Sequence, residues 1–351
     1  FDGDLKKTSK YKFSKIENFY QYEPKILFDR ENIIFFDNKG SILKFDNQSK
    51  LVWKKNYYSK IEKKQKPILY FASNDKILIV TDNLARYYAI NVDTGRTIWS
   101  KNNIAPFNSQ VKIFKDKFFA IDFENILRCF SIKDGKELWN FKSEKSFIKS
   151  QQKLSFIINN NRIVFINTLG DLSSIDINNG NLVWQTPTQS SSIYENYFSL
   201  KNSDLISGNN TIYFSNNQNE FFAVDETNGI IKWKQNINSN LRPTFADNLV
   251  FTVTLEGYLV AIDSRNGNIL RMTSVLNQIK NYKKKNIKPE GFIVGKNNIY
   301  LSLNNGRIVI IEILTGKPKD IIKIDSGKIS RPYVLNNEMF VLRDNAIIKM
   351  N

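Results

Sequence analysis

The stretch Ala223-Val224-Asp225-Glu226-Thr227-Asn228-Gly229-Ile230-Ile231-Lys232-Trp233 carries a small residue, an Asp two positions on, a Gly four after that and a Trp four further. The same frame fits Ala89, Asn91, Gly95 and Trp99, and again Ser174, Asp176, Gly180 and Trp184. Cys129, Ser131, Gly135 and Trp139 keep the register with a degenerate acidic position, and Ala261, Asp263 and Gly267 keep it with Arg271 where Trp should stand. Gly316 and Asp320 continue the series, while near the start Trp53 follows a turn at Asn47-Gln48-Ser49 that has no Gly. From Trp53 to Asp320 the equivalent marks lie 46, 40, 45, 49, 38 and 49 residues apart. A period of this size belongs to a propeller or a helical solenoid.

The local pattern selects strands. Lys76–Val80, Arg162–Ile166, Thr211–Phe214 and Asn298–Leu301 are short, β-branched and aromatic, and Asn, Asp and Gly turn signals bound them. Each repeat reads as four strands, with the third ending at the Asp and the fourth beginning just after the Gly. That Gly supplies the positive φ of a tight hairpin turn. The Trp falls on the fourth strand, where a large flat side chain can pack into the next sheet. Burying about 150–250 Å² of it at roughly 25 cal/mol per Å² gives on the order of 4–6 kcal/mol gross per copy. Four-stranded units that cannot bury a face alone must stack, and stacking about an axis makes a β-propeller.

Seven marks give seven units, and three further strands follow, at Arg331–Val334, Met339–Leu342 and Ala346–Met350. The missing outer strand is available at Tyr11–Ile16. The sequence therefore predicts one all-β domain over residues 1–351: an eight-bladed β-propeller of four-stranded antiparallel blades, closed by its N- and C-terminal strands. Closure hides edges that would otherwise pair with other chains.

Composition narrows the chemistry. The 351 residues contain no His, which removes the usual general base near neutral pH, every Ser-His-Asp or Cys-His arrangement, and the commonest nitrogen ligand for metals. The one Cys, Cys129, can form neither an internal disulfide nor a thiolate cluster, and at the small position of its repeat it reads as a buried apolar residue. No apolar run reaches the roughly 20 residues of a membrane span. The net charge of +17 favours anionic partners, but it is spread through a chain rich in Lys, Asn and Ile, as coding bias would produce. The start, Phe1-Asp2-Gly3-Asp4, shows no apolar signal core, consistent with a removed export signal or a boundary set by cloning.

The pattern Ala-x-Asp-x-x-Thr-Gly-x-x-x-Trp, seen at Ala223–Trp233 with Asn228 for Thr and at Ala89–Trp99 with Asn91 for Asp, resembles the tryptophan-docking repeat of quinoprotein-like propellers. Within that superfamily, the length and the blade count look like the BamB family of outer-membrane assembly lipoproteins. The resemblance implies a non-catalytic scaffold of the β-barrel assembly (BAM) complex in the periplasm, at the inner face of the outer membrane. It would bind the POTRA domains of BamA and other BAM subunits, and assist delivery and insertion of unfolded outer-membrane proteins. It also implies an N-terminal lipid anchor, which Cys129 cannot provide and which would lie outside this chain, and a monomer. Arg271 and Asp320 in place of Trp suggest weaker docking in the sixth and seventh blades.

Carrying the family's interface over by blade order places it at Phe147, Ile148 and Lys149, between the third and fourth blades. Lys149 stands where Arg is usual, which forfeits bidentate pairing with a carboxylate. Tyr194, Phe198 and Asp204 in the next connection supply aromatic and acidic companions. Phe147 and Ile148 are equally compatible with the start of an inner strand. Among the long connections, two are dense in cations: Lys60, Lys63, Lys64 and Lys66, and Lys280, Lys283, Lys284, Lys285 and Lys288. They suit steering toward an acidic partner or an anionic membrane surface, or simple solvation.

The docking residues Trp53, Trp99, Trp139, Trp184 and Trp233 are read as structural, and no catalytic residue, metal or cofactor is expected. The alternative is an enzyme of the quinoprotein type, for which the family's adjacent Cys pair and length are missing. Carboxylates such as Asp122 and Glu124 read as ordinary strand-end residues. Nucleic acid is not expected, although Tyr57, Tyr58 and Tyr282 among the lysines leave that reading open.

Overall fold

A computed structural model describes residues 1, 3–17, 19–143, 153–188, 200–277 and 286–351. The strands of these residues form eight four-stranded sheets. Seven are consecutive in sequence, spanning 27–55, 69–102, 112–142, 156–186, 206–235, 244–274 and 289–323. The eighth joins Tyr333–Leu335, Glu338–Arg343 and Ala346–Met350 to Lys7–Lys12 at the other end of the chain. The fold is an eight-bladed β-propeller. Two short helices, Phe19–Tyr22 and Lys60–Lys64, are the helical elements among the described residues.

The chain divides into two compact units. One comprises Phe1–Lys10, Leu200–Arg343 and Ile347–Asn351, the other Tyr11–Ser199 and Asp344–Ala346. In the first, Phe251, Phe292, Leu301 and Val309 belong to one buried cluster, and Tyr300, Ile308, Met339 and Val341 to another. In the second, Phe119, Leu127, Phe156, Phe165 and Ile175 are buried together. Beside them Phe118 and Phe130 stack at 4.9 Å, and Tyr87 lies 4.7 Å from Phe130. The middle strands are buried on both faces, as in Asn32–Phe36 and Ile42–Phe45, whereas the fourth strands are largely exposed apart from the docking position.

That position is built by a bulge. In each of the first seven blades the register between third and fourth strands shifts just after the residue facing the dock, which is small in five of them: Ala89 faces Trp99 but Ile90 faces Thr97, so Ile98 is skipped. The local twist this introduces re-aims the next side chain. Trp53 Nε1 then donates to the Val92 carbonyl at 3.2 Å, Trp99 to Ile132 at 2.8 Å and Trp233 to Ser264 at 2.9 Å. Each acceptor lies one residue past the acidic position of the following blade. Trp184, buried, faces Ser174 in the same register.

The Gly of several of these turns has a second duty besides its backbone angle. A Cβ on Gly135 would sit 2.6 Å from the Trp99 ring, on Gly180 2.7 Å from Trp139, and on Gly267 2.7 Å from Trp233. The indole of one blade lies on the turn of the next, and only a residue without a side chain leaves room for it.

Two expectations change. Arg271 does dock in the place of a Trp: its Nη2 donates to the Ile313 carbonyl at 2.6 Å, its Nη1 to the Leu314 carbonyl, and it lies against Gly316 as Trp lies against Gly135, Gly180 and Gly267. Asp320 does not dock; it is exposed and accepts from the Ile321 amide at 2.7 Å. The strand closing the eighth blade is Lys7–Lys12 rather than 11–16. Its partner Ala346–Met350 fixes its extent, with Lys6 and Asn351 exchanging backbone bonds at one end and the Phe13 amide reaching the Asn345 carbonyl at the other. Phe13 instead packs on Phe35 with ring centroids 5.0 Å apart.

Candidate docking surface

The hairpins between second and third strands share a device that the repeat reading missed. Asp37, Asp82, Asp122 and Asn167 are all buried, and each aims Oδ1 at the amides two and four residues on, at 2.8–3.1 Å. Asn216 repeats the first of these bonds, and Thr254 Oγ1 repeats the second. A positive-φ residue follows at the third place, as Gly40, Ala85, Asn125 and Gly170. The signal was legible, since these residues recur with the period of the Trp marks. Asp122, read from sequence as a strand-end residue, is instead a hairpin lock whose Oδ2 takes Arg128 Nε at 2.8 Å.

In the unit containing the first four blades, these hairpins are bonded to the connection between the first two blades and, from the third blade to the fourth, to one another. Asn56 Nδ2 reaches the Lys39 carbonyl at 2.9 Å and Ser41 Oγ at 3.0 Å. The Ile68 amide donates to Asn83 Oδ1 at 2.8 Å, and the Thr168 amide to Asn125 Oδ1 at 3.1 Å. The first connection carries Lys60–Lys64, whose N-cap Ser59 and Glu62 form a reciprocal capping box. Glu62 also pairs with Arg86 at 3.2 Å, and the Ser59 backbone bond is the main reason its carboxyl is held below its ordinary range.

Beneath this helix Tyr58 donates to Asp82 Oδ2 at 2.5 Å and lies 3.4 Å from the Tyr88 hydroxyl, with the Arg86 guanidinium over both rings. Burial dominates the electrostatics. It pushes Asp82 up to about 6 against the opposing hydrogen bonds of Tyr58, Arg86 and Leu84. It also drives Tyr58 well above its ordinary value, with Tyr88 and Asp82 adding to the rise. Tyr57 is half-buried, donates to the Gly95 carbonyl at 2.5 Å and is raised by burial to about 12. Tyr58 is only 4% exposed, so its ring is not a platform for a stacked base. Tyr282 lies outside the described residues.

Phe147, Ile148, Lys149, Tyr194 and Phe198 also lie outside the described residues, as do Lys280, Lys283, Lys284 and Lys285. Asp204 is half-buried before the first strand of the fifth blade, its carbonyl accepting from Ser203 Oγ at 3.2 Å. Lys66 pairs with Glu17, and the Lys288 amide donates to Asn304 Oδ1. Cys129 is buried, and burial raises its thiol to about 12. Among the described residues no group of three or more His, Cys, Asp or Glu is placed to hold a metal, and no helix is long and apolar enough to cross a membrane.

The family model for outer membrane protein assembly factor BamB matches residues 38–273, more than half of the chain. The chain belongs to the BamB family. BamB from Moraxella catarrhalis is similar over 99% of both chains, with a TM-score of 0.78 at 13% identity. The computationally designed protein Ika8 is similar over 97% of this chain and 99% of its own, with a TM-score of 0.72 at 13% identity. The C-terminal WD40 domain of Sif2 is similar over 100% and 99%, with a TM-score of 0.69 at 11% identity. At these identities the likenesses concern the fold. No match was found among curated protein sequences. The BamB family match runs from the residue after the Asp37 lock of the first blade into the fourth strand of the sixth, and so covers every docking Trp and Arg271 itself, but not the residues on which Arg271 docks.

Proposed function

We propose that this chain is a non-catalytic scaffold subunit of an outer-membrane β-barrel assembly complex, binding the POTRA domains of a BamA partner. It acts in the periplasm at the inner face of the outer membrane, held there by an anchor outside this chain, as a monomer within the complex. The observation that carries the reading is the BamB family match over residues 38–273. The chemistry of the chain agrees with it: without His, and with one buried Cys, it has few groups suited to proton transfer or nucleophilic attack near neutral pH.

Assistance to unfolded outer-membrane proteins has a physical route in the fourth strands, which bond to a neighbour on one side only within their sheets. The residue skipped by the bulge is apolar and at least 43% exposed in five of them, as Val52, Ile98, Leu138, Val183 and Leu270. An extended segment pairing with such an edge gains backbone hydrogen bonds and apolar contact together. The bulge itself interrupts the edge, which keeps the pairing transient.

The test is binding of the purified chain to the POTRA domains of its own BamA, beside Ile148→Asp and Lys149→Glu. Wild-type binding that both substitutions weaken, with unfolding transitions unchanged, supports the scaffold and its interface. Absence of wild-type binding at low salt sinks the assignment of this partner.

A further inference from the structure

We infer that the end of the second blade, between the helix Lys60–Lys64 and the turn around Ile104, is a docking surface for an anionic lipid bilayer. Ile61 is 73% exposed and Ile104 is 93% exposed, more than most large apolar side chains described in this chain. A single exposed Ile means little. These two flank one hairpin, and both are presented on braced backbone.

The bracing is specific. Next to Ile61, Glu62 closes the capping box with Ser59 and pairs with Arg86, whose Nη1 also holds the Tyr57 carbonyl at 2.9 Å. Next to Ile104, the Asn103 amide donates to the Ala85 carbonyl at 2.6 Å and its Nδ2 to the Ala105 carbonyl at 2.9 Å. The Phe107 amide donates to the Asp82 carbonyl at 3.0 Å. Both apolar tips are thus fixed to the hairpin Asp82–Arg86, whose lock is itself buried. Ordering such a loop on binding costs little entropy, because the fold has already ordered it.

Charge decides the partner's sign. The acidic groups near the helix are engaged, Glu62 with Arg86, Glu17 with Lys66, and Asp37 with Lys54 at 2.8 Å, and Glu124, exposed on the next hairpin, lies on the Ile104 side. Lys60, Lys63 and Lys64 make no ion pair among the described residues, and Lys60 and Lys64 are exposed. The result is an uncompensated cationic helix that carries one of two protruding aliphatic tips. Shape decides the partner's class. A protein interface needs a complementary pocket for each knob, whereas a bilayer deforms around isolated tips while lysines remain at the headgroups. Interfacial segments bind by this sum of apolar insertion and attraction to anionic lipid. The inference does not depend on the assembly role proposed above.

The experiment is co-sedimentation of the purified chain with phosphatidylcholine vesicles, with and without about one third phosphatidylglycerol, at low and moderate salt. The wild type is expected to bind the anionic vesicles in a salt-sensitive way. Ile61→Asp with Ile104→Asp should lower partitioning by about tenfold or more. Lys60→Glu, Lys63→Glu and Lys64→Glu together should act as strongly. Lys115→Glu, Lys133→Glu and Lys136→Glu together remove the same charge from turns at the other ends of the third blade's strands, and should act clearly less. Thermal unfolding of each variant verifies that its fold is retained. Absence of anionic-vesicle binding overturns the inference. So does an unchanged partition of the Ile variant, or equal effects of the two Lys sets, because net charge alone would then account for binding.

Discussion

Arg271 Nη2 donates to the Ile313 carbonyl at 2.6 Å, in the place where Trp233 Nε1 donates to the Ser264 carbonyl at 2.9 Å one blade earlier. A planar, multiply donating guanidinium substitutes for an indole because the dock asks for two things: a donor aimed at one carbonyl, and a flat body over a turn Gly. Lys could supply the first and not the second. Arg271→Ala is expected to cost about 1–3 kcal/mol through the lost charged hydrogen bonds. Arg271→Lys should recover less than half of that and Arg271→Trp most of it, read as shifts of the urea unfolding midpoint.

Gly135 combines a φ of +67° with a Cβ direction that runs into the Trp99 ring. Gly135→Ala should therefore be penalised twice, by about 1–2 kcal/mol for the backbone and by a further amount for the displaced indole. A double-mutant cycle separates them. In a Trp99→Ala background only the backbone cost remains, so the coupling between the two sites should be about 1 kcal/mol or more. Additive effects would show that the ring yields freely.

The period of the Trp marks was enough to read the blades from sequence, because each mark sits at a turn whose chemistry is local. What was not legible depended on partners distant in sequence. Arg271 looked like a defect because its acceptors at 313 and 314 are invisible from residue 271. The segment 11–16 stood available as the closing strand, whereas the bounds of that strand are set by Ala346–Met350, and Phe13 serves the first blade instead. The hairpin locks at Asp37, Asp82 and Asp122 carried a periodic signal, yet an Asp at a strand end is so commonly solvated that their burial could not be seen. The connections carrying Phe147–Lys149, Tyr194 and Phe198 offer no repeat to read, and their assignment rests on the family.

Asp82 makes a pH-dependent contribution of known sign. An Asp in an unfolded chain titrates near about 3.9, and burial raises Asp82 to about 6 in the folded chain. The folded state then binds the proton more tightly, so stability from this group is full below about pH 4 and is lost as pH rises through about 6. The loss is at most about 3 kcal/mol. Asn is tolerated at this position, since Asn167 locks the fourth blade with the same two amide bonds. Asp82→Asn should be more stable than the wild type at pH 7, with the difference closing by pH 4. Parallel denaturation curves with a constant offset across that range would disprove the assignment.

Ser49 has a φ of 65° in the shortened turn of the first blade, where the other turns place Gly. A side chain in the left-handed region costs about 1–2 kcal/mol, partly offset by the greater unfolded-state entropy of Gly. Ser49→Gly should raise stability by about 0.5–1 kcal/mol, measured as an increase in the denaturation midpoint with an unchanged slope.

The first blade also departs from the others at the small position facing its Trp. Lys44 stands opposite Trp53, where Ala89, Cys129, Ser174, Ala223 and Ala261 stand in their blades. Its side chain is 4% exposed, and the ammonium reaches Asp29 at 2.8 Å, Asp93 at 3.3 Å and the Val92 carbonyl at 3.1 Å, sharing that carbonyl with Trp53. Removing one member of a buried pair strands the other, so Lys44→Ala should cost about 3–5 kcal/mol by leaving the Asp29 carboxylate uncompensated. Lys44→Ala with Asp29→Ala removes both charges and restores the small residue of the other blades. It should recover most of the loss, because the Trp53 bond to Val92 survives. If the double variant is no more stable than Lys44→Ala, the Lys stem rather than its charge supports the first blade.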